Sequence, residues 1–276
     1  MSTISAADVN KLRQMTGAGM MDCKKALTET NGDFDTAVDF LRKRGAKVSA
    51  ARADRDAKEG AIIAKTSADH KLGIIIQLSC ETDFVAKNED FVKFANSIAD
   101  LALANKPANA DALKALDLVG QPLSERLMEQ VGKIGEKIDV VKYEIVEANN
   151  VVAYIHGSNR LGVLVAMNNA PTESNLAAGR DAAMQVAALN PAAVDKDGVD
   201  STVIEREMEI AKDQIRAEGK PENMIEKIAQ GKLAKFYKEN TLLNQEFVKD
   251  GSLTVAQMLD KVENGLTVTL FKRISL

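Results

Sequence analysis

Hydrophobic positions in the first 45 residues recur three and four apart, which predicts three short helices. The predicted inward faces are Val9, Leu12 and Met15; Cys23, Ala26 and Leu27; and Phe34, Ala37, Val38 and Leu41. Ser5, Asp22 and Asp33 are the predicted N-caps of these helices. We expect Gly45 to stop the third helix, because glycine is favoured just after a helix C-cap. The pattern predicts a compact helical module too small to be an enzyme alone.

The middle of the chain mixes alternating or continuous apolar runs with amphipathic segments, which predicts strands and helices together. The predicted strands are residues 60–65, 71–79, 143–146, 151–155, 161–167 and 266–271. The predicted helices are residues 88–104, 124–137 and 175–189. Turn-forming residues separate the first two strands at Ser67–His70 and the fourth and fifth at His156–Arg160. This region therefore predicts a mixed core.

Residues 200–240 carry a narrow apolar stripe on an otherwise charged background. The stripe comprises Ile204, Met208, Ala211 and Ile215, and then Ile225, Ala229, Leu233 and Phe236. Gly219 can stop the first helix and Pro221 can start the second. A narrow stripe suits a projecting antiparallel coiled-coil arm better than a helix buried in a core.

Composition excludes several classes of protein. The net charge of −4 argues against a protein that lives on nucleic acid. No apolar run approaches the length of a membrane span, and the start of the chain lacks the pattern of a signal peptide. The two cysteines, Cys23 and Cys80, lie far apart, so they suggest neither a disulfide framework nor a zinc site. We expect a cytoplasmic protein that binds no membrane.

One local stretch departs from the acidic balance. Residues 42–58 contain seven basic side chains against Asp54 and Asp56. The stretch has no aromatic residue for base stacking, and its alanine content suits a solvated helical linker. An RNA-binding patch remains the alternative, although charge runs are most often solvated faces.

Candidate chemistry is sparse. Gly17 and Gly19 follow no predicted strand and lack the third glycine of a dinucleotide-binding loop. A Cys80–His156 nucleophile pair is an alternative, but a small buried cysteine at a strand end is more common. Phe84 is either a core residue with Asp83 as a helix cap, or an exposed anchor on a surface connection.

The segment Met20–Met21 raises the same question of core against surface. We expect one of the two methionines in the core and the other free to contact a partner, where a flexible thioether adapts well.

Three motifs resemble the bacterial elongation factor Ts family, in order and spacing, across nearly the whole chain. They are Leu12–Leu27 (LRQMTGAGMMDCKKAL), Thr82–Lys87 (TDFVAK), and His156–Gly157 followed by Arg160–Val165 (RLGVLV). The resemblance implies a guanine-nucleotide exchange factor that binds elongation factor Tu·GDP and promotes GDP release by displacing its magnesium ion. It implies no covalent catalysis, no cofactor or metal in this chain, and no direct contact with nucleic acid.

The resemblance also implies roles for individual residues. Arg13, Met20 and Met21 match positions that touch the nucleotide-binding domain of the partner. Asp83 and Phe84, flanked by Thr82 and Val85, match the pair that acts near the magnesium site. His156, with Gly157, matches a contact beyond the nucleotide domain.

The fold implied by resemblance and pattern together is α+β. It has an N-terminal three-helix UBA-like domain, a mixed core with antiparallel sheets, and a protruding coiled-coil hairpin. The expected divisions are 1–54 for the UBA-like domain and basic linker, 55–140 for the core N-subdomain, 141–199 with 241–276 for the core C-subdomain, and 200–240 for the hairpin. The resemblance associates the hairpin with a homodimer contact, as in some members of the family.

Two further expectations accompany this interpretation. Family members usually continue past Phe271–Arg273 into a glycine-rich stretch and a C-terminal helix, whereas the sequence here ends at Leu276. The competing class is a non-catalytic adaptor whose N-terminal helices bind a peptide or ubiquitin-like partner. Such an adaptor has no need of Thr82–Val85.

Overall fold

Helices and small sheets alternate along residues 4–276, the part of the chain that the computed structural model describes. The helices are α1 (Ala6–Thr16), α2 (Met20–Glu29), α3 (Phe34–Ala51), α4 (Asp83–Ala86), α5 (Glu89–Asn105), α6 (Ala110–Ala115), α7 (Leu123–Ile134), α8 (Glu173–Leu189), α9 (Ser201–Ala217), α10 (Glu222–Asn240) and α11 (Val255–Val262). The strands are β1 (Glu59–Thr66), β2 (Leu72–Cys80), β3 (Asp139–Glu147), β4 (Asn150–His156), β5 (Leu161–Met167), β6 (Glu246–Phe247), β7 (Asp250–Thr254) and β8 (Val268–Ser275). Short 3-10 turns lie at Lys196–Gly198 and Leu242–Asn244. The predicted α+β class is confirmed.

The chain divides into two units. The first contains the residues up to Ile63, then Ile76–Glu144 and Leu276. The second contains Ala64–Ile75 and Ile145–Ser275. The division into four parts, including a UBA-like domain and a coiled coil, stays a prediction.

Helices α1, α2 and α3 form around one hydrophobic cluster. Its buried members are Val9, Leu12, Cys23, Ala26, Leu27 and Ala37. Ser5 caps α1, since its hydroxyl accepts from Asp8 N at 3.1 Å while its own N–H donates back to the Asp8 carboxylate. Asp33 caps α3 as predicted. The module predicted from helical periodicity is therefore present.

Three details of that module were predicted wrongly. Met15 is 56% exposed and does not join the core. Gly19 occupies the N-cap position of α2, so Asp22 lies in the first turn, where its carboxylate pairs with Arg44. Helix α3 does not stop at Gly45 but continues to Ala51.

Gly45 serves packing between α3 and α7. A Cβ at this position would lie 3.0 Å from the carbonyl oxygen of Met128 and 3.8 Å from Gly132 Cα. A Cβ on Gly132 would lie 2.8 Å from Gly45 Cα. The two glycines thus let the backbones of α3 and α7 approach, and this use of glycine replaces the predicted helix stop.

Four of the seven basic residues at positions 42–58 pair with carboxylates. The pairs are Arg42 with Glu129 at 3.3 Å, Arg44 with Asp22, Arg52 with Glu81 at 2.8 Å, and Lys58 with Asp56 at 3.0 Å. Much of the stretch lies in α3, which packs on α7, so it is less a solvated linker than predicted. Charges already paired within the chain are poorly placed to neutralise phosphates, which weakens the RNA-binding alternative.

Strand β2 ends directly before the candidate site. It lies between β1 and β3 in a three-stranded sheet, and all nine of its residues are buried. The predicted turn before it is confirmed, with His70 in the left-handed region at φ 56°. Buried on both faces, β2 is a firm support for the residues that follow Cys80.

A second sheet, of order β4-β5-β8, is antiparallel throughout. Helix α8 covers it and α11 packs on α8, around a cluster that includes Val163, Val165, Val186 and Leu259. The short helices α6 and α11 and the hairpin β6–β7 were not predicted from the sequence, since each is too short for a clear periodic pattern.

Helices α9 and α10 form the predicted antiparallel hairpin. Ala211, Ile215, Ile225 and Ala229 are buried between them, with Met208 and Ile228 packed alongside. These residues lie in the stripe predicted from spacing or next to it. Whether the hairpin acts as a coiled-coil contact stays a prediction.

Candidate functional site

The residues after β2 form a one-turn helix, α4, rather than an irregular connection. Thr82 Oγ1 accepts a hydrogen bond from Val85 N at 3.4 Å and so caps the turn. The backbone closes it with Ala86 N to Thr82 O at 3.2 Å and Lys87 N to Asp83 O at 3.0 Å. The cap is therefore Thr82 and not Asp83, the residue expected on the core interpretation. Asn88 then caps α5.

Phe84 projects from this turn and is 84% exposed. The interpretation of Phe84 as a core residue is wrong, because a core phenylalanine loses nearly all of its exposure. Thr82, Asp83 and Val85 are intermediate in burial. The turn thus displays one large aromatic side chain above a partly buried base.

Asp83 is held by Lys87 on the same turn. Lys87 Nζ donates to the Asp83 carboxylate at 2.6 Å, four residues along. This hydrogen bond holds the pKa of Asp83 below its usual range. The carboxylate beside Phe84 is therefore ionised at neutral pH and can take part in polar contacts.

A carboxylate from another part of the chain clamps the base of the turn. Glu136 accepts hydrogen bonds from Glu81 N and Thr82 N, both at 3.0 Å, and from Thr82 Oγ1 at 2.6 Å. Glu81 in turn accepts from Lys137 N at 2.7 Å and from Arg52 at 2.8 Å. The hydrogen bond from Lys137 N is the main cause of the lowered pKa of Glu81. Sequence reasoning missed Glu136 because it lies 54 residues from Thr82 and carries no motif.

Cys80 is not placed for nucleophilic chemistry. Its side chain is fully buried, and Sγ donates to Thr82 O at 3.2 Å. Burial, followed by the nearby charge of Glu136, raises the pKa of the Cys80 thiol to about 12. A thiol that stays protonated at neutral pH is a poor nucleophile, so the Cys80–His156 alternative loses its support.

Arg13, Met20 and Met21 lie on the surface of the N-terminal helices. Met20 is 54% exposed and Met21 is 73% exposed. The prediction that one methionine lies in the core is wrong, because α2 begins at Met20 and its first fully buried side chain is Cys23. The two methionines, with Met15, leave flexible apolar side chains in water.

His156 and Gly157 stand at the turn between β4 and β5. Gly157, Ser158 and Asn159 all have positive φ values, of 61°, 53° and 67°, which lets the chain reverse sharply. His156 is exposed, and its Nδ1 lies 2.9 Å from the hydroxyl of Tyr154. Tyr154 thereby helps to orient the imidazole at the turn.

The described residues contain neither a metal-binding cluster nor a membrane-spanning helix. Within 4–276, no group of three or more His, Cys, Asp or Glu side chains is arranged to hold a metal ion. In that same part of the chain, no helix combines the length and the apolar character needed to cross a membrane.

Residues 81–276, more than half of the chain, match the family model described as Elongation factor TS. A protein named Elongation factor Ts from Amoebophilus asiaticus is 57% identical over 98% of each chain. The chain belongs to the elongation factor Ts family. Further proteins of that name are 55% identical in Cytophaga hutchinsonii and 51% identical in Christiangramia forsetii, each over 100% of both chains.

Family membership confirms the resemblance carried by the three motifs. It makes the chain a translation elongation factor. In the relatives from Cytophaga hutchinsonii and Christiangramia forsetii, the alignment extends over the whole protein.

Proposed function

We propose that this chain binds the GDP-bound form of elongation factor Tu and promotes release of GDP during translation elongation. The observation that carries the proposal is the exposure of Phe84, 84%, on a turn that is capped and clamped from below. Large aromatic side chains on rigid supports are typical anchors of protein interfaces. Membership of the elongation factor Ts family supports elongation factor Tu as the partner.

Exchange requires no covalent step and no cofactor in this chain. The chain must bind nucleotide-free elongation factor Tu more tightly than the GDP-bound form. Thermodynamic linkage then requires that its binding weaken GDP by the same factor. Differential affinity alone is therefore sufficient for the proposed activity.

Phe84 is the proposed wedge. It enters an apolar cleft of elongation factor Tu and shifts the segments that hold the magnesium ion. Losing that divalent charge weakens the contacts to the GDP phosphates. Asp83, ionised and held by Lys87, adds polar contacts beside the wedge. Thr82 and Val85 support the turn through their capping hydrogen bond.

Two further surfaces hold the chain in register on its partner. Arg13, Met20 and Met21 form a contact to the nucleotide-binding domain, supported by the exposure of both methionines. His156 and Gly157 form a contact elsewhere on elongation factor Tu, supported by their exposure at the β4–β5 turn. These surfaces supply affinity, whereas Phe84 supplies the differential effect on GDP.

The hairpin of α9 and α10 is the proposed contact for a second copy of this chain. Ile210 is 43% exposed and Met224 is 47% exposed, although the seam between the helices is buried. Analytical ultracentrifugation of the protein and of the variants Ile210→Asp and Met224→Asp tests this contact. A monomer at all concentrations would overturn it.

The function itself is tested by release of a fluorescent GDP analogue from purified elongation factor Tu. We expect the chain to accelerate release in a saturable manner, with no change in covalent structure of either protein. An unchanged release rate at saturating concentrations would refute the exchange role. An adaptor that binds through its N-terminal helices alone would show binding without acceleration.

A further inference from the structure

A polar clasp lies under Phe84 and joins three segments that are remote in sequence. We define the clasp by Arg52, Glu81, Thr82, Glu136 and Lys137. Each member donates to or accepts from another member, at distances of 2.6–3.0 Å. The side chains of Arg52 and Glu81 are only 31% and 17% exposed, so water competes little for their bond.

Glu136 makes the contacts that decide the path of the chain into α4. Its Oε2 accepts the N–H groups of Glu81 and Thr82, and its Oε1 accepts the hydroxyl of Thr82. One carboxylate thus binds both residues that connect the buried end of β2 to Asp83. Hydrogen bonds to an ionised acceptor are shorter and stronger than neutral ones.

The proton of the Thr82 hydroxyl gives Glu136 a second effect. A hydroxyl has one proton, and Thr82 donates it to Glu136 at 2.6 Å. Its oxygen lone pairs are then left to accept from Val85 N, the bond that caps α4. Glu136 therefore fixes both the backbone before the turn and the orientation of its cap.

The clasp also includes the end of the N-terminal helices. Lys137 Nζ donates to the carbonyl oxygens of Ala53 at 2.6 Å and Arg55 at 3.0 Å, just beyond α3. Arg52 binds Glu81 from that same segment. The residues that leave the N-terminal module are thereby tied to the residues that precede Phe84.

We propose that Glu136 is a positioning residue for Phe84, acting through Thr82 without touching the partner. This inference rests on the proposed exchange function, since it concerns the wedge of that mechanism. A functional side chain has to be held to about 0.5 Å by its supporting residues, and Glu136 supplies that support. Loss of Glu136 loosens α4 and lets Phe84 sample directions that do not fit the partner.

A partner-free experiment tests the positioning directly. The chain contains no tryptophan, so Phe84→Trp introduces a single indole at the tip of α4. Time-resolved fluorescence anisotropy then reports local motion of that indole. We expect the amplitude of fast local motion to rise when Glu136→Ala is added. The matched control is Glu125→Ala, an exposed carboxylate on α7 outside the clasp, which should leave the motion unchanged.

Two variants separate the functions of the Glu136 carboxylate. Glu136→Gln keeps an oxygen for the two backbone N–H groups but cannot accept the Thr82 proton. Glu136→Ala removes all three bonds. We expect the fast motion to increase in the order wild type, Gln, Ala. Motion equal to wild type in both variants would overturn the positioning role, and Glu136→Gln alone decides the matter if Glu136→Ala does not fold.

Exchange kinetics supply the second measurement, made with Phe84 intact. We expect Glu136→Ala to lower the maximal rate of GDP release about tenfold, as loss of hydrogen bonds to a charged group does. The concentration of chain at half-maximal effect should change less, because the methionine and His156 surfaces remain. Thr82→Val should cause a smaller loss in the Glu136→Ala background than in the wild type, because the Glu136–Thr82 hydrogen bond is already absent there and only the cap to Val85 N remains to be lost.

The outcomes distinguish the two proposals. If the wild-type chain fails to accelerate GDP release, the exchange function is wrong, and the anisotropy still judges the positioning of residue 84. If the wild type is active and Glu136→Ala, folded by its melting curve, is equally active, Glu136 is not a positioning residue. A full additive loss in the double variant would also contradict action through Thr82.

Discussion

Replacing Phe84 by alanine separates binding from folding because the side chain is 84% exposed. Only the buried remainder contributes to the core, and burying a whole Phe side chain is worth about 1.5–3 kcal/mol. The loss of stability is therefore about 0.5 kcal/mol or less. Alanine is also the stronger helix former in the turn α4, which offsets part of that loss.

The effect on the partner complex is larger. Aromatic side chains bury roughly 150–250 Å² each, so the exposed fraction of Phe84 amounts to about 170 Å² that a cleft can cover. At about 25 cal/mol per Å² this corresponds to about 4 kcal/mol as an upper limit. Truncation of interface hot spots costs about 2–4 kcal/mol, or roughly thirtyfold to a thousandfold in affinity.

The assay is stopped-flow release of fluorescent GDP from elongation factor Tu, with a melting curve recorded on the same preparations. We expect elongation factor Tu to release GDP at least about tenfold more slowly with Phe84→Ala than with the wild-type chain. The melting temperature of the variant should be nearly unchanged. Phe84→Leu, which keeps apolar bulk, should retain part of the activity. GDP release at the wild-type rate in the presence of Phe84→Ala would refute the wedge role. A large drop in the melting temperature of the variant would contradict the exposed position of the ring.

Three other predictions concern the glycine contact between α3 and α7, the buried thiol of Cys80, and the two exposed methionines. Gly45→Ala should lower the free energy of unfolding, measured by urea denaturation, by about 1–3 kcal/mol, because its Cβ would lie 3.0 Å from a carbonyl oxygen of α7. The control Gly231→Ala has open space around the new Cβ and should stabilise α10 by about 0.5–1 kcal/mol. Equal effects of the two substitutions would refute the packing role of Gly45. Cys80 should resist thiol reagents in the native chain at pH 8 and react after unfolding. The unfolded thiol loses its proton near pH ~8.5, whereas burial raises the pKa of the folded thiol to about 12. The free energy of unfolding should therefore fall as pH rises between these values, more steeply in the wild type than in Cys80→Ala. Parallel plots of this free energy against pH for the two proteins would contradict the prediction. Met20→Ala and Met21→Ala should weaken binding to elongation factor Tu in calorimetry without lowering the melting temperature, because both side chains are exposed; unchanged affinity in both would remove them from the interface.

Local patterns were sufficient to predict most long elements. The periodicity of residues 88–104 and of the 200–240 segment appears in α5 and in the α9–α10 hairpin with bounds close to those expected. Gly45 shows where such reasoning fails. Its sequence context fits a helix stop, but packing against Gly132 on α7 decides its role, and no local pattern contains that partner.

In the candidate site, too, some features could be predicted from local sequence and others could not. The position of Phe84 between a predicted strand and a predicted helix supported the exposed alternative against the core one, and the structure bears out the exposed alternative. The exposure of both Met20 and Met21 did not follow, because residue type favours burial of at least one. Glu136 was not predicted at all, since only the fold brings it to Thr82.

Preferential binding to nucleotide-free elongation factor Tu is the central requirement of the proposed exchange mechanism. The direct measurement is the dissociation constant of this chain for elongation factor Tu, determined with GDP absent and with GDP saturating. We expect tighter binding without GDP, by the same factor by which the chain weakens GDP binding. Equal dissociation constants under the two conditions would contradict the exchange mechanism.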